Sequence, residues 1–202
     1  MLTLYFAPGA SSMAAHIALF EVGARFEGRP LSFARHENRT RDYLAINPLG
    51  QVPTLVVEGR ALTEVAGILF YLAKTYPKTG LLPDDAEGQA RVVSWMSFLA
   101  STVHPARRQG LDHARKIYAQ ADRRLGPHDW AVGGRYSIAD IHLFRLFWRF
   151  LGSLNPPAEE FPNLMALHAR MLERPAVQQT LQVEAAAGYE LPSQGGPERA
   201  QP

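Results

Sequence analysis

Cysteine is absent from all 202 residues, which excludes disulfides, a protein thiolate nucleophile and thiolate zinc sites in any compartment. Any thiol chemistry must therefore be brought by a substrate. A strong charge imbalance is also missing. The net charge of +2 is too small to point to nucleic acid, and no basic run interleaves with aromatics. A pI near 9.0 mildly favours an anionic ligand. No stretch approaches the roughly eighteen uninterrupted apolar residues that span a bilayer. The first residues carry neither a basic region nor a cleavage site, so the expected location is cytoplasmic, with no membrane partner. The chain lacks a GxSxG elbow, a P-loop and a GxGxxG unit, which removes the usual hydrolase, nucleotide-hydrolysing and dinucleotide-binding classes. Acids sit beside histidines at Asp112-His113 and His128-Asp129, but adjacent residues on a helix point apart, and no metal site is expected.

What is present suits two cores of modest size, with 47% apolar content. Residues 1–6 read as a strand, 12–22 as an amphipathic helix, 26–33 as a second strand and 54–57 as a third. Glu58-Gly59-Arg60 forms a tight turn, with Gly59 suited to positive φ, into an antiparallel strand 60–62. Glu64 then opens a helix whose buried stripe is Val65, Ile68, Leu69 and Leu72. A turn-rich linker at 77–85 separates a domain at 1–76 from an all-helical one at 86–190. In the second domain Val92, Met96, Leu99 and Val103 form one helical stripe, while the more polar Val93, Ser97, Ala100 and His104 can line a cleft. Ser137-Ile138-Ala139-Asp140 is a capping-box pattern, with Ile141, Phe144, Trp148 and Leu151 down one face. Helices follow around Leu164, Leu167 and Met171, stopped near Arg174-Pro175, and over 177–187. The tail at 191–202, polar and rich in Gly and Pro, is expected to be disordered.

Two segments carry the functional signal. Residues 47–55, NPLGQVPTL, place Pro53 in an apolar run where a proline supplies no ladder amide. Either Val52-Pro53 is an ordinary trans turn at a strand start, or it is cis. A cis bond would leave the Val52 N–H and C=O free to pair with an extended ligand, as in strand addition. Ser11 follows Pro8-Gly9-Ala10 at the entrance to the first helix. A hydroxyl and exposed amides there can stabilise a sulfur anion, or Ser11 can be a plain N-cap; Ser12 can play either part. His16 sits with Met13, Ile17 and Phe20, which suits packing or hydrogen bonding rather than ligation. Arg35, His36 and Arg39 form a small basic group that can attract a carboxylate or remain a solvated loop.

The NPxGxVPxL stretch, the following Thr63-Glu64 and the APGASS segment at 7–12 together resemble the cytosolic glutathione transferases, most nearly the bacterial beta class. The resemblance covers nearly the whole chain and implies an α/β thioredoxin-like N-terminal domain followed by an all-α C-terminal domain. It implies glutathione as co-substrate, no metal, a small hydrophobic electrophile as second substrate, and a homodimer. Site roles carry over by position. Val52, ahead of Pro53, holds the cysteinyl backbone of glutathione. Glu64 pairs with its γ-glutamyl amino group, and the amides of Glu64 and Val65 receive its carboxylate. Gln51 adds a polar contact, Ser11 supports the thiolate, and His104 extends toward the sulfur as proton acceptor or charge stabiliser near neutrality. Ser97 stands where the class often has an asparagine reaching glutathione across the dimer interface.

The chain departs from the beta-class pattern in three places. Ser11 replaces a cysteine, so no mixed disulfide with glutathione can form. Val65 replaces serine or glycine, implying weaker ligand binding, and Pro105 replaces a lysine beside His104, removing a cation. The expected activity is conjugation of the glutathione thiolate. A non-catalytic binding protein that kept the fold, and a glutathione-dependent lyase or dehalogenase, are the alternatives.

Overall fold

The computed structural model describes residues 1–132 and 134–190; the tail at 191–202 lies outside the described residues. The first half runs β1 (Leu2–Phe6), α1 (Ser12–Glu21), β2 (Phe26–Pro30), α2 (Arg41–Ile46), β3 (Thr54–Val57), β4 (Arg60–Thr63) and α3 (Val65–Thr75). The strands form one mixed sheet in the order β2-β1-β3-β4. β1 pairs parallel with β2, a geometry that needs a crossover, and α1 supplies it. β1 and β4 both pair antiparallel with β3. The β3–β4 hairpin turns through Glu58 (φ 49°) and Gly59 (φ 81°), so both central residues are left-handed, the twist that two-residue hairpins favour.

The second half is helical: α4 (Ala86–Phe98), α5 (Leu111–Leu125), α6 (Ile138–Leu154), α7 (Pro162–Leu172) and α8 (Pro175–Ala187). This is the expected thioredoxin-like sheet domain followed by a helical domain, the glutathione transferase fold, but with one large core running through both halves instead of two, and a small cluster of Ala7, Tyr43 and Val52 beside it.

Three sequence expectations need correction. β2 ends at Pro30 rather than at 33. Pro30 gives no ladder amide and the strand lies at the sheet edge, after which Ser32 bonds to Glu37 and Glu190 instead of to a strand. α1 is not amphipathic: Ser12 through Leu19 are all buried, because the helix is packed by β1, α3, α6 and α8 together. The helix at Val92 to Val103 is not uniform. α4 stops at Phe98, Leu99–Val103 winds as a π-helix and His104–Gln109 as a 3-10 turn. Pro105 has no N–H and its ring crowds the carbonyl four residues back, so the chain cannot continue as an α-helix there. The apolar stripe Val92, Met96, Leu99 and Val103 is nonetheless buried.

The capping box forms as the pattern predicts, but its acid does more than cap. Asp140 is buried and accepts from Ser137 N (2.8 Å), Ser137 Oγ (3.0 Å) and Ala131 N (2.7 Å), tying α6 to the preceding loop. Burial pushes its carboxyl up to about 6, against hydrogen bonds that lower it.

The two halves are joined at the loop that leads into α1. Arg145 of α6, 5% exposed, donates to Ala10 O (2.9 Å) and Gly9 O (3.0 Å). Glu184 of α8 is wholly buried. It accepts from Gly9 N (2.7 Å) and pairs with His16 Nδ1 (3.1 Å), whose ring is stacked among Phe6, Phe20 and Phe26. His16 therefore has the hydrogen-bonding role expected of it. Burial draws the Arg145 guanidinium down to about 10, which still leaves it charged at neutral pH.

Ser137→Ala should cost about 1 kcal/mol in urea unfolding, the worth of an N-cap, and Asp140→Ala about 2–3 kcal/mol because it strands buried donors. Asp140 holds its proton to a higher pH when folded than its ordinary 3.8 allows when unfolded. Its contribution is therefore complete near pH 4 and declines as pH rises through 6, so the gap between wild type and Asp140→Ala should narrow from pH 4 to 7. Arg145→Met leaves the Gly9 carbonyl unpaired and the Ala10 carbonyl with Met13 N alone, and should cost about 1–3 kcal/mol. Amide hydrogen exchange should localise the loosening to residues 9–12; unchanged protection there would contradict a clamp.

Candidate functional site

The loop from Asn47 to Pro53 is shaped by its own side chains. Asn47, 3% exposed, donates through Nδ2 to Gln51 O (2.8 Å) and Thr54 Oγ1 (3.0 Å), and its Oδ1 accepts from Leu49 N (3.1 Å). Tyr43 of α2 donates to Gln51 O (2.5 Å). Gly50 has φ 61°, and a Cβ there would stand 2.7 Å from Asn38 O, so the glycine of the motif is required twice over. The Val52-Pro53 peptide is cis.

Val52 is not left wholly free, as the sequence had suggested. Its carbonyl accepts from Ser11 Oγ at 2.8 Å, whereas its N–H has no partner among the described residues. Ser11 stands at the N-cap position of α1 but makes no side-chain cap bond; its hydroxyl is spent on Val52. Ser12 is excluded from ligand chemistry. It is completely buried, donating to Ala7 O and accepting from Ala7 N, both at 3.1 Å.

One cleft collects most of the expected residues. Ser11, Gln51, Val52, Pro53, Glu64, Val65 and His104 line it, joined by Ala100 and His142 from the helical half. Ser97 does not line it; it is exposed on α4, a turn away with Val93. The cleft encloses about 120 Å³, less than a wider apolar groove of about 550 Å³ between β2 and α8. The groove's buried polar side chain, His16, is already paired, whereas the cleft gathers several unpaired polar groups, the mark of a binding site. Arg35 is paired with Glu37 (2.9 Å), and Arg39 backs Leu49 O (3.3 Å), so the basic group after β2 supports loops and lies outside the cleft lining.

Glu64 is the N-cap of α3 rather than a member of its first turn. Its backbone is held at φ 66°, a strained value for a residue with a Cβ, and its exposed side chain makes no cap bond. The amides of Val65 and the next residues face outward from the helix start, where an anion is favoured. The Val65 side chain is buried and belongs to the core.

His104 differs from expectation in its charge. Burial and then Arg145, Arg108 and Arg107 push its pKa down to about 4 although the residue as a whole is exposed, so it is a neutral imidazole at pH 7. The same shift makes the ring a weak base, so neither a proton-accepting nor an imidazolium role near neutrality fits it, and what remains is a neutral hydrogen-bonding ring. The same three arginines correct a second expectation: the cation lost at Pro105 is replaced by others close by.

Sequence reasoning missed Arg145, Glu184 and His142. All three are polar residues within apolar helical patterns, and a buried polar residue at a core position was the available signal. His142 is 1% exposed, and neither ring nitrogen has a hydrogen-bond partner. Among the described residues no group of His, Asp and Glu is arranged to hold a metal, and no helix is long and apolar enough to cross a membrane.

Comparison with known proteins agrees with this architecture. Residues 1–74 match the glutathione S-transferase N-terminal domain and residues 66–175 the C-terminal domain. The chain is 35% identical to glutathione S-transferase GstA of Escherichia coli O157:H7, over 90% of this chain and 98% of that one. A beta-class glutathione S-transferase of Sphingomonas chungbukensis superposes with a TM-score of 0.79 at 33% identity, covering 90% of this chain and 98% of that one. A sphingomonad glutathione S-transferase complexed with glutathione gives 0.81 at 32% identity, covering 91% and 98%. Matched by family models in both halves and by full-length relatives of the same architecture, the chain belongs to the glutathione S-transferase family.

Proposed function

We propose that the cleft binds glutathione and that the protein conjugates its thiolate to a small hydrophobic electrophile. The observation that carries this reading is the convergence in one cleft of a free Val52 N–H, the outward helix start at Glu64 and Val65, the Ser11 hydroxyl and a neutral His104. Its relatives bound to glutathione support it. Residues 1–76 form the glutathione-binding domain in this reading, and 86–190 carry the acceptor side.

The ligand's cysteinyl amide pairs with Val52, with Pro53 setting the loop behind it and Gln51 bordering the peptide. Its γ-glutamyl amino group meets the Glu64 carboxylate and its carboxylate the amides of Glu64 and Val65. Binding exchanges partners: the ligand N–H takes over the Val52 carbonyl, and the released Ser11 hydroxyl turns to the sulfur. The thiol proton leaves to solvent, and His104, neutral at pH 7, can donate its ring N–H to the thiolate. The thiolate then attacks the electrophilic carbon and displaces a leaving group or adds to a double bond.

The cleft encloses about 120 Å³, below the roughly 300 Å³ lower bound of small-molecule sites, so part of a tripeptide lies outside it. A second copy of the chain supplies the missing cover in this reading. Phe70 (40% exposed) and Val93 (53%) offer apolar contact on α3 and α4, and Ser97 beside Val93 reaches the partner's ligand. The protein is placed in the cytoplasm. The Ser11–Val52 hydrogen bond also favours a second reading, in which glutathione is held without being activated.

Isothermal calorimetry with glutathione and a conjugation assay on an aryl halide separate the two. Glu64→Gln should weaken binding about tenfold, the loss of one charge-assisted bond. Ser11→Ala should leave binding nearly unchanged and lower kcat by about 10², as when a preorganised donor to an anion is removed. Binding without turnover in the wild type would favour the carrier, and absence of binding at millimolar glutathione would overturn both.

A further inference from the structure

His142 lies on α6, at the boundary between the cleft and the helical core. It lines the cleft with Ala100 and His104 from the helical half and with Ser11, Val52 and Glu64 from the sheet half. It is 1% exposed, and both ring nitrogens are shut away from water with no intramolecular hydrogen bond. A buried imidazole with no partner on either nitrogen costs stability, and native interiors satisfy nearly all such groups. Its surroundings decide what would satisfy it. Burial, and then His104 and Arg145, hold its pKa down to about 3. The ring is therefore neutral, with one N–H to donate, and Arg145, buried and still charged, favours negative charge beside it.

Resting on the glutathione-conjugating role above, we propose that His142 determines the preferred second substrate. It donates a hydrogen bond to the carbonyl oxygen of an α,β-unsaturated carbonyl compound as the thiolate adds. The sulfur lone pair forms the C–S bond at the β-carbon, the C=C π pair becomes a bond between the α-carbon and the carbonyl carbon, and the C=O π pair moves onto the oxygen. The enolate oxygen so formed accepts the His142 N–H, which keeps its proton throughout. The α-carbon then takes up a proton equivalent to the one lost by the thiol, so that S–H has added across the double bond with no oxidant or reductant. A neutral donor set in a water-excluded wall beside a fixed cation is worth most where charge develops during the reaction. An alkyl halide, whose charge leaves on the halide, gains nothing from it. Since both nitrogens are closed to solvent, the contact forms through a side-chain adjustment as the electrophile enters.

Two glutathione conjugates of one carbon skeleton test this without turnover: S-(3-oxo-3-phenylpropyl)glutathione, the adduct of phenyl vinyl ketone, and S-(3-phenylpropyl)glutathione, which lacks the carbonyl. Wild type should bind the ketone about tenfold more tightly, the worth of one hydrogen bond to an otherwise unsatisfied donor. His142→Phe should bring the ratio of the two Kd values to about 1, and His142→Gln, which retains an N–H, should keep part of it. In the kinetic arm, His142→Phe should lower kcat/KM for phenyl vinyl ketone by about tenfold or more while leaving that for benzyl chloride within about twofold. A wild-type ratio near 1, or a ratio unchanged in His142→Phe, would overturn the assignment, as would equal weakening of both conjugates, which marks a structural role. Glutathione titrated into all three proteins separates the failures. If it binds equally and the ratio is flat, this inference alone falls; if it does not bind the wild type, the proposed function falls with it.

Discussion

The hold that two buried ionic side chains exert on one short loop is the constraint on which the rest of the site depends. Gly9 is gripped from both sides, its N–H by Glu184 and its carbonyl by Arg145, and Arg145 also takes the carbonyl of Ala10. Residues 9 and 10 lead directly into Ser11, so the helical half positions the hydroxyl that the sheet half presents. Desolvating an arginine and a glutamate is expensive and is offset only by full hydrogen bonding. Here the bonding partners include the N–H and carbonyl of Gly9, which would otherwise be buried unsatisfied, and removing either side chain exposes the cost of both. The clamp thus fixes the relative placement of the halves and the geometry of the cleft with the same atoms.

A second consequence of this clamp is electrostatic. Arg145 reaches the loop from the core of α6, and after burial itself its charge suppresses protonation of both His104 and His142, joined at His104 by Arg108 and Arg107. The helical wall of the cleft therefore presents neutral imidazoles in a positive field. Such a wall can stabilise a thiolate or an enolate without carrying a proton that would neutralise it. The absence of cysteine from the loop fits this arrangement, since sulfur chemistry is left to the ligand and the protein contributes hydrogen bonds and field.

Much of the fold was legible because it rests on local patterns. The strand at 54–57, the Glu58-Gly59 turn, the stripe of α3 and the capping box at Ser137 each follow from spacing or from the backbone needs of a few residues. The misreadings have equally specific causes. α1 looked amphipathic because Ser12 and His16 are polar, but Ser12 is bonded to Ala7 in the loop before the helix and His16 to Glu184 of α8, and both are buried. The helix through Val103 looked regular because its apolar residues keep the right spacing, while Pro105 forces a π-turn that spacing does not reveal.

The sequence by itself determined the class of fold, the loop at 47–55 and the residue types available for thiol chemistry, since these depend on neighbours within a few positions of one another. Tertiary structure alone decided which of two adjacent serines faces the cleft, that the Ser11 hydroxyl is engaged by Val52, and that His104 is neutral. It also decided that Arg145 and Glu184, more than a hundred residues from Gly9, grip the loop before α1, and that His142 lines the cleft with Ser11. The physical reason is that burial, field and hydrogen-bond satisfaction are properties of what surrounds a group in space, and each of these groups is surrounded by elements distant in the chain.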